Sequence, residues 1–143
     1  MDTKQEFVRL MNNQTEIALA TSVENNPNVR IVNFYFCIET KTLYFTTFGD
    51  NEKVKEFEAN PKIAFSTIPH SGNEHVKARG IVTKSEKTIY DFAEEFVSKI
   101  PDYRENIEQA GDYLVLYEIK FDTATVTIDF ENTDTISLKD LKI

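Results

Sequence analysis

The chain changes rhythm repeatedly between a hydrophobic period of two and one near 3.6. Thr3 and Glu6 have the spacing of a capping box, and Phe7, Leu10 and Met11 follow at helical spacing, which predicts a short amphipathic helix over 3–13. Residues 17–23 are apolar and β-compatible, 25–28 (Asn-Asn-Pro-Asn) read as a turn, and 29–38 as the returning strand of a hairpin. A tight turn at 39–42 leads into a third strand over 43–47. A helix follows over 52–59, closed by Asn60-Pro61 because proline cannot continue the ladder. Strands are predicted over 63–68 and 76–83, joined by a turn at 70–73. Ile89, Phe92, Ala93, Phe96, Val97 and Ile100 share one face of a helix that Pro101 stops. Residues 113–121 alternate, as do Ala124, Val126, Ile128 and Phe130 against their polar neighbours.

Strands in hairpin order with helices between them predict a mainly β, α+β molecule: an antiparallel barrel with helical insertions. The pattern predicts a single domain over 1–143, with its core at about 3–130 and an acidic, weakly patterned tail at 131–143. No repeat or linker interrupts it.

Composition narrows the function classes. With 143 residues, 41% apolar and 28% charged, the chain can bury about two thirds of its unfolded surface in one core. A net charge of −8 argues against nucleic acid as a partner. The start, MDTKQEF, lacks the apolar stretch of a signal peptide, and no apolar run approaches the roughly 20 residues that cross a bilayer. Cys37 is the single cysteine, which fits a reducing compartment, and a cytoplasmic location is expected.

Candidate chemistry concentrates between residues 29 and 61. Arg30, one of four arginines, opens an apolar strand and shares a face with Val32, Phe34 and Phe36. Thr46 and Thr47 end the next strand. Lys53 lies in the first turn of a helix whose cap candidates are Asp50 and Asn51. A cation there opposes the helix dipole, a cost that a bound phosphate would offset. Each residue also has an ordinary reading: a strand-end arginine reaching for water, two good β formers, a solvated lysine. Only their convergence would make a phosphate site. His70 and His75 match no zinc spacing, so no metal is expected. Cys37 reads as a buried inert thiol, and Phe92 with Phe96 as core or interface. No nucleophile elbow, dinucleotide fingerprint or Walker pattern occurs.

In this order the segments Arg30-Ile31-Val32-Asn33, Phe45-Thr46-Thr47, Asn51-Glu52-Lys53, Glu58-Ala59-Asn60-Pro61 and His75-Val76-Lys77-Ala78-Arg79-Gly80 resemble the pyridoxamine 5′-phosphate oxidase-like superfamily of FMN-binding split barrels. The resemblance implies a homodimer with FMN at the subunit interface, touched by both chains. It places Arg30 and Lys53 on the phosphate and Thr46 and Thr47 on phosphate or ribityl oxygens, and counts Phe45 and Asn51 among the cofactor-binding residues. It lays Arg30, Ile31, Val32 and Asn33 along the isoalloxazine ring, and puts His75 where the family carries a ring-facing glutamine. His75 is also the candidate acid or base. Tyr35 stands where the true oxidase holds substrate phosphate with lysine, Glu52 replaces a second basic residue, and the oxidase's C-terminal substrate segment is missing. The resemblance therefore implies an FMN-dependent oxidoreductase acting on another small planar molecule, of the general-stress or nitroimidazole-reductase-like kind. A non-catalytic flavin store or sensor, or a binder of haem or F420, stays open beside it.

Overall fold

A computed structural model describes residues 1–49 and 52–142, Glu52 and Lys53 by their backbone only. Helix α1 (Thr3–Asn13) starts one residue earlier than a capping box on Thr3 would have it. The Asp2 side chain accepts from Gln5 N, and Thr3 is buried, donating to Asp134 at 2.8 Å. Phe7, Leu10 and Met11 form the predicted buried stripe.

Strands β1 (Glu16–Val23) and β2 (Asn26–Asn33) make a hairpin, but its turn is Glu24-Asn25, with φ of 52° and 67°. Two left-handed residues are what a two-residue hairpin turn needs. Pro27 and Asn28, expected in the turn, belong to β2. The sheet tolerates Pro27 because β2 lies at the end of the strand order, where a missing N–H breaks no ladder bond. Phe34, fully buried, interrupts the strand expected over 29–38, and β3 (Tyr35–Cys37) resumes beyond it.

Next come β4 (Thr42–Phe48), α2 (Glu52–Ala59), β5 (Lys62–Thr67) and β6 (His75–Lys84). The helix expected over 89–100 breaks in two: a 3₁₀ turn at Ile89–Phe92 and then α3 (Ala93–Lys99). Helix α4 (Tyr103–Ala110) has no counterpart among the expected elements; β7 (Leu114–Lys120) follows it. Strand β8 (Thr123–Thr127) ends before the expected alternation does, leaving Phe130 fully exposed. The segment read as a tail is core. Strand β9 (Thr133–Ser137) pairs with β8, and Ile136, Leu138 and Leu141 are buried with Phe7 and Val126.

All pairings are antiparallel, in the order β2-β1-β5-β6-β7-β4-β3, with β8 and β9 branching from β6. Among the described residues the ladder does not close by hydrogen bonds. Its two ends, β2 and β3, are consecutive parts of one extended segment, so the chain itself joins them. The split sits on β6: His75 to Lys77 pair with β8, and Ile81 to Lys84 with β7. Gly80 stands at the parting, where a Cβ would lie 2.6 Å from the Lys120 carbonyl oxygen.

Inside, Phe34, Phe36, Leu43, Phe45, Phe65 and Ile119 fill the barrel. Helix α2 packs Phe57 against Phe45 and Tyr117, with ring centroids 5.8 and 5.1 Å away. Helices α3 and α4 instead cover the outer face of β3, β4 and β7, where Tyr44, Phe96, Tyr103 and Leu116 make a second core.

Candidate functional site

Strand alternation divides the expected site residues among three environments. Arg30, Val32, Phe45 and Thr47 point to the barrel interior. Arg30 pairs in register with buried Leu19, Val32 and Phe45 are core, and Thr47 is 3% exposed. Val32 and Phe45 can therefore meet a ligand through their backbone alone. Ile31, Asn33 and His75 lie on the outer face. Thr46 and Tyr35 lie under α3 and α4. Asp50, Asn51 and the Lys53 side chain fall outside the described residues.

Arg30 does not reach for water. Its Nη2 donates to Glu56 Oε2 at 2.7 Å, both side chains being more than four-fifths buried (16% and 18% exposed). Thr21 donates to the same carboxylate oxygen and Asn28 Nδ2 to the other at 3.0 Å. Burial alone would raise the Glu56 carboxyl. The bonds from Thr21, Asn28 and Arg30 and the guanidinium charge outweigh it and bring the group down to about 2. The Arg30 guanidinium is still not satisfied: Nη1 is buried without a hydrogen-bond partner among the described residues. This polar cluster, set beside α2, was invisible in sequence because Glu56 lies 26 residues from Arg30, on another element.

The two threonines part. Thr46 Oγ1 is hydrogen-bonded to the Tyr103 hydroxyl of α4, whereas Thr47 faces inward like Arg30. Tyr35 packs between Phe92 and Phe96, both with centroids 5.9 Å away. Burial, with Cys37, Glu39 and Glu95 nearby, pushes its hydroxyl well above the usual tyrosine range. Cys37 is buried and donates to Glu39 Oε2 at 3.3 Å.

The outer face of β2, β1, β5 and β6 is open. Two registered rows cross it: Ile31, Ala18, Ser66, Lys77 and Val29, Ala20, Ala64, Arg79. Val29 and Ile31 are 63% and 59% exposed at one side, two cations stand at the other, and small residues make the floor between. His75 lies two residues before Lys77 on this face. Its Nδ1 is 2.7 Å from the Asn73 carbonyl; with the proton on Nδ1, Nε2 carries the lone pair. The period-two alternation of β5 and β6 is the sequence signal that puts Lys77 and Arg79 on this face, a role the resemblance does not assign them.

A model of pyridoxamine 5′-phosphate oxidase-like proteins matches residues 10–133. The chain belongs to that family. No curated protein matches it in sequence. Among solved structures, this pyridoxamine 5′-phosphate oxidase-like chain is similar to general stress protein 26 of Bacillus anthracis, with TM-score 0.75, 15% identity, and 96% of this chain and 99% of that one covered. A haem-binding protein of Mycobacterium smegmatis gives 0.76 at 11% identity over 97% of this chain, which spans only 59% of the relative's length. A FAD-binding protein of Mesorhizobium loti gives 0.64 at 13%, covering 84% and 90%. At such identities the likeness is one of fold, the split barrel, which this family member shares.

Proposed function

We propose that the protein is a homodimeric, cytoplasmic FMN-binding oxidoreductase acting on a small planar molecule. The observation that carries this is Arg30. The arginine at the family's phosphate position has Nη2 committed to Glu56, while Nη1 is buried with no acceptor among the described residues. A buried charged donor without a partner costs about 1–3 kcal/mol, which a phosphate oxygen would offset. The donor set fits the group: Arg30, with Lys53 and Asn51 from the family pattern, would hold the phosphate, and Thr47 points inward as Arg30 does. Thr46, bonded to Tyr103, is left out of that set. Ile31, Asn33 and the small-residue floor would take the ring, and the exposed Val29 and Ile31 would meet a second copy. A bound flavin supplies the electron and hydride chemistry, while the chain binds and orients it and keeps water from it.

The anchored ring of His75 favours a second reading. A histidine whose Nδ1 is held by a carbonyl presents Nε2 as metal-ligating histidines do, so haem is the alternative on the same face. An absorbance scan of the purified protein distinguishes the two: oxidised-flavin bands support the first, a Soret band the second, and neither band after cofactor titration rejects both. Lys53→Ala should weaken FMN by roughly 1.5–3 kcal/mol and leave riboflavin binding nearly unchanged. Equal losses for both would return Lys53 to an ordinary helix lysine. Consumption of NAD(P)H with an added acceptor separates an enzyme from a flavin store.

A further inference from the structure

Lys99, the last residue of α3, turns inward. Its Nζ donates to the Met11 carbonyl at 3.0 Å and stands 3.5 Å from the centroid of the Phe34 ring. Met11 is in the last turn of α1, where carbonyls lack helical partners, so the amine ties α3 to α1. Tying two helices accounts for a cation at this point. It does not account for the cavity of about 490 Å³ beside it, lined by Asn12, Tyr35, Glu95, Ser98 and Lys99 itself. Three features meet there: an amine largely removed from water, an aromatic floor, and an opening large enough for a small organic molecule.

Burial pulls the Lys99 amine down to about 7. The Phe34 ring, the Met11 carbonyl and the acidic Glu94 and Glu95 of α3 act the other way, favouring the ammonium. Met11 and Asn12, which α1 contributes to the cavity, carry no charge. From β3 comes Tyr35, whose raised hydroxyl stays protonated at neutral pH. The balance leaves a substantial neutral fraction, and a neutral amine at the wall of an open cavity is the form that attacks carbonyl carbon.

We propose that Lys99 is a carbonyl-trapping site, condensing through Nζ with a small uncharged aldehyde admitted by the cavity beside Tyr35. The amine lone pair forms the C–N bond as the carbonyl π pair moves to oxygen, which takes up an amine proton to give the carbinolamine. That hydroxyl leaves as water with the second amine proton, and the C=N bond closes. Nothing is oxidised or reduced. Glu94 and Glu95 at the cavity disfavour anionic aldehydes, which sets the class as uncharged.

The test is reductive labelling of the wild-type protein with limiting benzaldehyde and cyanoborohydride at pH 7.5, mapped by mass spectrometry over all 12 lysines. An ordinary lysine is almost wholly protonated there, so Lys99 should carry about tenfold more label than the mean of the others. Its labelling should level off above pH 8 while theirs keeps rising, and glyoxylate should show no preference for it. Lys99→Arg keeps a cation for the Met11 carbonyl and should lose that label while melting as the wild type does. Labelling of Lys99 at or below the common level, or still rising through pH 10, overturns the proposal whether or not the variant folds.

Discussion

Glu56 governs the polar cluster around Arg30, and its ionisation makes stability depend on pH. Its carboxyl falls from an ordinary 4.5 to about 2 on folding, so the unfolded chain binds the proton more readily. The stabilisation is therefore complete above about pH 4.5 and is lost as pH falls towards 2. Thermal melts should show wild type losing stability across that window more steeply than Glu56→Gln. At pH 7 the same substitution should cost about 1–3 kcal/mol, because it leaves Arg30 buried without its carboxylate. It also releases Nη2, so the preference for FMN over riboflavin should rise; a fall would show that Arg30 does not face the phosphate. Tyr35 carries the opposite expectation. It is wedged between Phe92 and Phe96, so Tyr35→Phe should leave flavin titrations unchanged within about 0.5 kcal/mol.

Two elements owe their geometry to single positions. Gly80 lets β6 pass from β8 to β7, and an added methyl would meet the Lys120 carbonyl, a backbone atom that cannot step aside. Gly80→Ala should cost about 1–3 kcal/mol in urea unfolding. Strand β9 anchors the chain's last turn, and Ile136→Ala should cost about 2–5 kcal/mol, a loss that an exposed tail would not register. The same elements mark how far sequence reaches. Helix α2 was legible end to end because Asn60-Pro61 punctuates it. The first hairpin was legible but its turn was not, since Glu24 and Asn25 adopt left-handed φ without glycine while Asn-Pro-Asn carries the stronger local signal. Helix α4 escaped because YRENIEQA offers only Tyr103 and Ile107 for burial, too few to show a period. Strand β9 escaped because Ile136 is its single buried residue and the pairing with β8 supplies the rest. At the site, the Arg30 motif could be read, but its carboxylate partner could not, because only the fold brings α2 beside β2.

For the whole molecule, the outer face with exposed Val29 and Ile31 is the surface on which dimer and cofactor proposals meet. Ile31→Lys places a charge there without touching the interior, so it should give a folded monomer by light scattering that also loses bound flavin. A dimer that persists would move the interface elsewhere. Joining the two ladder ends through Phe34 has a kinetic consequence. The hairpins of β1 with β2 and of β8 with β9 form between neighbours in sequence, but β4 must find β7 across 78 residues, from Thr42 to Lys120. Such a pairing bears the loop-closure entropy before any contact rewards it. The segment through Phe34 cannot bridge β1 and β4 until that search has ended. Refolding should accordingly run on the slow side for a chain of this length, with the two hairpins protected from hydrogen exchange before β4 is.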